Sequence, residues 1–464
     1  MSIKDTFKKR EVTYRQELVD NDIILSVRHL KQFFKFGHGK NSFKTKAVHD
    51  VSFDVKKGEC FGLVGESGCG KTTTGRSLIR LYNITSGSVY FKGYRISAGR
   101  RWNDKEIKWT RIKNNKKIRE LYAQEDEEIQ AIRAATDAKS KDLNAKRKEE
   151  DKIINRRVDP SITDESDIND KHSEIKVKYQ TLVSEGKKSA DELISQVRAK
   201  YSNMRREIKA QTEAVVKEQR EAIAQIKYDN RHVDKKVMSK MQMIFQDPVD
   251  SLDPRMTVED IITEGLIIQG QRNKFANSLK VAESLEKVGL IPEYASRYPH
   301  EFSGGQRQRI GIARALVMNP EFLICDEPIS ALDVSIRAQI INLLNNLKEE
   351  MGLTILFIAH DLSVVKYFCD RIAVMYYGEI VELATSEELF KHPLHPYTNA
   401  LLSAIPKPDP LTEKSRQRLI YNPLKEHDYS VEKPKLTEIL PGHFVLANTE
   451  EIEKYKLKIK EQGE

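Results

Sequence analysis

Residues Tyr298–Pro328 run YPHEFSGGQRQRIGIARALVMNPEFLICDEP, a Ser-Gly-Gly-Gln loop followed closely by an apolar run that ends in two carboxylates. Phe322-Leu323-Ile324-Cys325 is short, continuous and apolar, as a buried strand is. It leads into Asp326 and Glu327. Carboxylates at the end of a buried strand cost free energy unless they meet a cation or a reacting water. Alone, such a strand end is as readily a solvated surface feature. Behind Ser303-Gly304-Gly305-Gln306 it is specific: glycine-rich loops are common, but few precede an acidic strand end.

A second glycine-rich loop lies far upstream. Gly65-Glu66-Ser67-Gly68-Cys69-Gly70-Lys71-Thr72 fits G-x-x-x-x-G-K-[ST]. Cys60–Val64 before it has strand character, and Lys71–Leu81 after it has helical spacing. The glycines let backbone N–H groups turn toward an anion, and the helix N-terminus adds partial positive charge. Lys71 is expected to reach the β- and γ-phosphates of a nucleotide, and the Thr72 hydroxyl to sit on Mg²⁺.

Together these segments resemble the ATPase subunits of ABC transporters. Three shorter matches extend the resemblance: Gln246 in Met243–Pro248 (MIFQDP), Ser330-Ala331-Leu332-Asp333, and His360 after the apolar run Thr354–Ala359. The resemblance implies an α/β P-loop NTPase fold with a small antiparallel β subdomain and a helical signature subdomain. It implies ATP and Mg²⁺ as ligands. Asp326 would be the metal partner and Glu327 the general base. Gln246 would meet metal and water, and His360 the γ-phosphate. Gly65–Thr72, with Thr73, would cradle phosphates, and Phe34 would stack on adenine, with Phe36 and Phe43 as rivals. Ser303, Gly304, Gly305, Gln306 and Asp333 would close on the nucleotide of a second subunit.

The chain has 464 residues, room for two or three domains. Its four cysteines, Cys60, Cys69, Cys325 and Cys369, form no C-x-x-C pair, so neither a disulfide framework nor a cysteine metal site is indicated. Residues 1–21 read as a polar extension without signal-peptide character. No apolar run approaches the roughly 18–20 residues that span a bilayer. The formal charge is +9. Between Arg100 and Val237, 34 Lys/Arg stand against 27 Asp/Glu, a net of +7 with both signs interleaved. That reads as a solvated helical surface, and no nucleic acid is expected.

Two segments, 22–97 and 238–390, carry every motif, so residues 98–237 read as an insertion. It is rich in Lys, Glu, Ala, Arg and Ile, as long helices are. Val197, Tyr201, Met204, Ile208, Gln211, Val215, Glu218, Ala222 and Gln225 alternate steps of four and three, a heptad seam with polar interruptions. Ile118, Leu121, Ile129 and Ile132 give a weaker pattern upstream. The helix-breaking stretch near Pro160 places a turn between them. The expectation is a coiled-coil-like antiparallel helical hairpin; the alternative is a largely disordered charged loop with nascent helix.

MQMIFQDPVDSLDPR (241–255), DVSIRA (333–338) and HPLHPYTNALLSAIPKPDP (392–410) are similar to one branch, the oligopeptide/dipeptide permease ATPases. Residues 391–464 read as the tail of that branch. Two departures stand out. The insertion is not typical of the branch, and no cysteine follows Cys369, so an iron–sulfur cluster is not carried over. The resemblance implies an ATP-hydrolysing subunit of a peptide importer, peripheral on the cytoplasmic membrane face. It would pair with a second ATPase as a heterodimer, bind two permease subunits, and depend indirectly on an extracellular receptor. DNA-repair or chromosome-organising ATPases are the alternative, since they too split such a domain with a coiled coil. Their coil enters after the segment that Gln246 matches, and here the insertion ends before it.

Overall fold

The computed structural model describes residues 10–37, 42–157, 165–330, 332–405 and 418–462. Ala331 and the expected turn near Pro160 lie outside them. The chain forms two compact units, Met1–Trp102 with Ile223–Glu464, and Asn103–Ala222.

The first unit is built on strands β1 (Ile23–Phe36), β2 (Phe43–Lys56), β3 (Cys60–Val64), β4 (Ser86–Phe91), β5 (Tyr94–Arg100), β6 (Met241–Ile244), β7 (Phe322–Asp326), β8 (Thr354–Ala359), β9 (Arg371–Tyr376), β10 (Glu379–Thr385), β11 (Lys435–Leu440) and β12 (His443–Ala447). The order β5-β4-β1-β2-β10-β9-β3-β8-β7-β6 joins two kinds of sheet. β9, β3, β8, β7 and β6 are parallel, while β1, β2, β4 and β5 are antiparallel. β3, β7 and β8 are buried at every position, with helices over one face and the antiparallel strands, joined by Leu78 of the helix Lys71–Leu78, over the other, which is why they read as unbroken apolar runs. The expected α/β P-loop architecture with its antiparallel subdomain is present. Helices Val258–Ile268, Lys274–Lys287 and Gly304–Leu316 pack into one of the two large cores through Ile262, Leu285 and Ile310.

β12 pairs with β10, so the C-terminal region adds strands to the sheet. The junction is polar. Glu382, wholly buried, accepts N–H bonds from Leu394 (2.8 Å) and His395 (3.1 Å) and pairs with buried His443 (2.8 Å). A buried carboxylate is tolerated only when so fully partnered. All four cysteines are buried and free.

The second unit consists of most of two long helices, Arg101–Arg157 and Glu165–Arg231. Their contacts run in opposite order: Asn103 with Gln219, Asn114 with Thr212, Glu125 with Arg205, and Glu150 with Tyr179. Leu121, Ile129, Ile194, Val197 and Tyr201 form its apolar cluster. The expected seam holds at Val197, Tyr201 and Ile208 but not at Met204 between them, and after Ile208 it slips by one residue. Met204, Gln211 and Glu218 are exposed, and Val216, Gln219 and Ile226 are buried instead of Val215, Glu218 and Gln225. A helix of 3.6 residues per turn drifts by about 20° per heptad, so a strict seven-residue register does not persist.

Candidate active site

The phosphate loop links β3 to the helix Lys71–Leu78. Gly70, at φ +107°, needs the left-handed region, and a Cβ there would collide with the Ala47 carbonyl oxygen. Lys71 is almost wholly buried and curls over the loop, donating from Nζ to the carbonyls of Gly65 (2.7 Å) and Glu66 (2.9 Å). Burial pushes the Cys69 thiol up, although nearby Lys71 opposes this.

β7 ends beside the loop. Asp326 is wholly buried, and its Oδ1 accepts the Thr72 hydroxyl at 2.8 Å. Its Oδ2 has no hydrogen-bond partner, and neither has Arg76 Nε, 3.9 Å away. Burial raises the Asp326 pKa; the Thr72 hydrogen bond and Arg76 pull it back only in part. An under-compensated carboxylate next to a threonine hydroxyl fits a hard divalent cation that takes oxygen ligands.

Glu327 is the hub. Its backbone sits at φ +47°, a left-handed conformation uncommon for non-glycine residues and often found at functional sites. Gln246 Nε2 donates to Glu327 Oε2 at 3.3 Å, and His360 Nδ1 lies 3.1 Å from the same oxygen. Lys71 Nζ is 4.0 Å from Oε1. Three residues named from separate parts of the sequence thus converge on one carboxylate.

Ser303–Gln306 and Asp333 are placed differently. Ser303 caps the helix Gly304–Leu316 in a reciprocal box: Gln306 N–H donates to Ser303 Oγ (3.3 Å), and Ser303 N–H to Gln306 Oε1 (3.0 Å). A Cβ at Gly305 would lie 2.7 Å from Ile336 Cγ2, so the loop packs closely on the helix Val334–Met351. Asp333 precedes that helix without a side-chain capping bond and is exposed. No hydrogen bond or ion pair among the described residues joins Ser303–Gln306 to Gly65–Thr73. Phe34 is half-buried with its ring edge-on to Tyr82 at 5.2 Å, whereas Phe36 and Phe43 stack together at 5.5 Å and are exposed. Phe36 and Phe43 therefore offer the freer faces.

One residue at the loop belongs to none of the nucleotide motifs. Glu66 N–H donates to the Tyr397 hydroxyl at 3.0 Å. Tyr397 belongs to HPYT, which the sequence shows only as a proline-rich tail segment, and its N–H donates to His395 Nδ1 at 3.1 Å. Burial, helped by neighbouring His427, lowers the His395 pKa to about 3, so that nitrogen stays an acceptor. Burial also raises the Tyr397 pKa.

The ABC transporter family model matches residues 48–215 and 210–330. The model for the oligopeptide/dipeptide transporter C-terminal region matches 381–430. The chain belongs to the ABC transporter ATP-binding proteins. The oligopeptide transport ATP-binding protein OppF of Bacillus subtilis (strain 168) is 41% identical over 433 residues, 93% of this chain and 98% of the relative. The oligopeptide transport ATP-binding protein AmiF of Streptococcus pneumoniae is 39% identical, covering 91% and 94%. The dipeptide transport ATP-binding protein DppF of Lactococcus lactis subsp. cremoris is 37% identical, covering 91% and 93%. Nothing in these relatives supports the chromosome-organising alternative. The chain is a nucleotide-binding ATPase subunit of a transporter. None of its described helices is long and apolar enough to cross a membrane.

Proposed function

We propose that this subunit hydrolyses MgATP to drive oligopeptide import, acting at the cytoplasmic membrane face with a second ATPase and two permeases. The convergence of Gln246, His360 and Lys71 on Glu327, beside the Thr72–Asp326 pair, carries the catalytic reading. The peptide cargo is supported by the match at residues 381–430 and by relatives named for oligopeptide and dipeptide transport.

Thr72 and Asp326 would hold Mg²⁺, with Gln246 at its edge; when bound, the ion neutralises phosphate charge. Lys71 leaves the carbonyls of Gly65 and Glu66 to meet the β- and γ-phosphates. Glu327 takes the proton of the attacking water on a carboxylate oxygen. Gln246 Nε2 and His360 orient that carboxylate, and His360 also reaches the γ-phosphate. Ser303–Gln306 and Asp333 close over the nucleotide of the second ATPase, where glycine N–H groups stabilise charge on the γ-phosphate. Phe34, or the freer Phe36 and Phe43, stacks on adenine. The helices Arg101–Arg157 and Glu165–Arg231 stand outside this chemistry, since no motif residue falls within them.

The test is ATPase activity of the purified subunit against concentration, alone and with partner ATPase and permeases co-purified from detergent-solubilised membranes. The proposal expects weak activity alone and a rise on assembly. A rate indifferent to both concentration and partners would overturn the shared site.

A further inference from the structure

The chain has two tryptophans, and both stand in the first turns of the helix Arg101–Arg157. Trp102 is 58% exposed and Trp109 is 62% exposed. Seven residues apart, they project within about 20° of each other. Ile112, close by on the same helix, is also exposed. The face that meets the neighbouring helix of the insertion is a different one, carrying Asn103, Asn114, Leu121 and Ile129.

Charge is concentrated in the same place. Residues 100–119 hold nine Lys/Arg and two Asp/Glu, a net of +7. Residues 120–237 hold 25 of each sign. The whole positive excess of the insertion therefore lies around the tryptophans. Lys105, Lys108 and Lys113 are exposed and have no carboxylate partner among the described residues. The expectation of an evenly mixed, solvated surface suits residues 120–237 and fails for this segment.

We propose that this face docks on an anionic phospholipid surface. Indole rings favour the boundary between headgroups and acyl chains, where one part is apolar and the N–H is wet. Lysines beside them gain from the negative surface potential of such a membrane. Nucleic acid would answer the charge equally well. Single-stranded bases could stack on the indoles, but they give no comparable place for the exposed isoleucine beside them, and membership of a transporter family puts a bilayer within reach. The inference is independent of the cargo and of the catalytic assignments.

The two tryptophans make the full-length protein its own probe, because its indole emission reports this segment alone. The experiment adds phosphatidylcholine vesicles, with or without one part in three phosphatidylglycerol, and follows emission and co-sedimentation. Phosphatidylglycerol vesicles should shift the emission to the blue, and acyl-chain-brominated lipid should quench it. Added salt should weaken the effect, and pure phosphatidylcholine should give little of it. Each lysine neutralised should lower vesicle affinity about five-fold, so Lys105→Gln, Lys108→Gln and Lys113→Gln together lower it on the order of 10²-fold. Nucleotide affinity and helix content should not change. Unshifted emission with phosphatidylglycerol, or undiminished binding by the triple variant, would overturn the proposal. So would a shift produced by an oligonucleotide but not by vesicles, or by raising protein concentration alone.

Discussion

The two halves of the nucleotide chemistry are built on opposite plans. Around Glu327 the groups meet one another: Lys71 and Asp326 are buried, Glu327 is half-buried, and Gln246 and His360, although exposed, turn with Lys71 to its carboxylate. Around Ser303 the polar groups serve only their own helix, and Asp333 serves none. A loop whose side chains are satisfied locally, on an exposed surface, holds its backbone N–H groups ready for something outside the chain. The contrast supports a site completed by a second subunit more directly than the presence of the motif does.

The largest effect should come from the buried half. Glu327→Gln keeps shape and the ability to be oriented but cannot take a proton, so kcat should fall roughly 10²–10⁴-fold with nucleotide affinity kept. Single-turnover measurement on this site alone checks it, because an intact partner site would mask the loss. Asp326→Asn should cost about 10²-fold in Mg²⁺-dependent turnover, as loss of a metal-placing charge does. It should also raise the apo protein's melting temperature, since the burial that lifts this carboxyl's pKa is relieved. A melting temperature that falls instead would mean that the carboxylate is better compensated than its unbonded Oδ2 implies.

The exposed half should respond differently. Asp333→Ala removes no capping bond, so thermal stability should stay constant while activity of the assembled enzyme drops about ten-fold, the worth of one charge-assisted contact. Activity that survives assembly unchanged would remove Asp333 from the interface. Tyr397→Phe sharpens the comparison from the other side. It leaves the Glu66 N–H without its hydroxyl partner, so KM for ATP should rise about five-fold, one neutral hydrogen bond's worth, with kcat nearly kept. A fall in melting temperature with unchanged KM would reduce Tyr397 to packing.

The last effect is on stability and not on turnover, a pH dependence. His395 titrates at about 3 when folded, below its ordinary value near 6.5. The unfolded chain therefore binds the proton first as pH falls. Stability is full above about pH 6.5 and declines toward pH 3, by at most about 1.4 kcal/mol per pH unit. Urea melts of wild type and His395→Asn across that window check this, and the variant should show the shallower slope.

The half of the candidate site around Glu327 was legible because its chemistry admits few residue types. A phosphate loop needs its glycines, lysine and hydroxyl, and an activated water needs a carboxylate. Asp326, Glu327, Gln246 and His360 could therefore be named from separate motifs, although only the fold brings them together. The central parallel strands were legible for a related reason: burial on both faces forces unbroken apolar runs. Tyr397 was not, because a hydroxyl accepting one backbone N–H could be many residues, and its partner stands 331 positions away. The seam after Ile208 misled because helical drift moves the buried face off a strict heptad. The basic face at Trp109 was hidden by averaging, since a charge count over 100–237 dilutes a segment that holds all of its excess.

β3 lies between β8 and β9, so the strand that carries the phosphate loop pairs only with residues 355–359 and 371–374. On the ribosome that strand waits. At about 5–20 residues per second, the intervening chain takes roughly fifteen seconds to a minute to emerge, and the helical insertion lengthens the delay. During that interval Cys60–Val64 is an apolar strand with both edges unpaired, the kind of segment that chaperones hold and nascent chains aggregate through. The antiparallel strands β1, β2, β4 and β5 have no such wait, since all of their mutual partners lie within the first hundred residues. Synthesis therefore divides this ATPase unit into an early-folding platform and a late-closing centre, and premature termination anywhere before β8 yields a chain whose phosphate loop has no sheet to stand on.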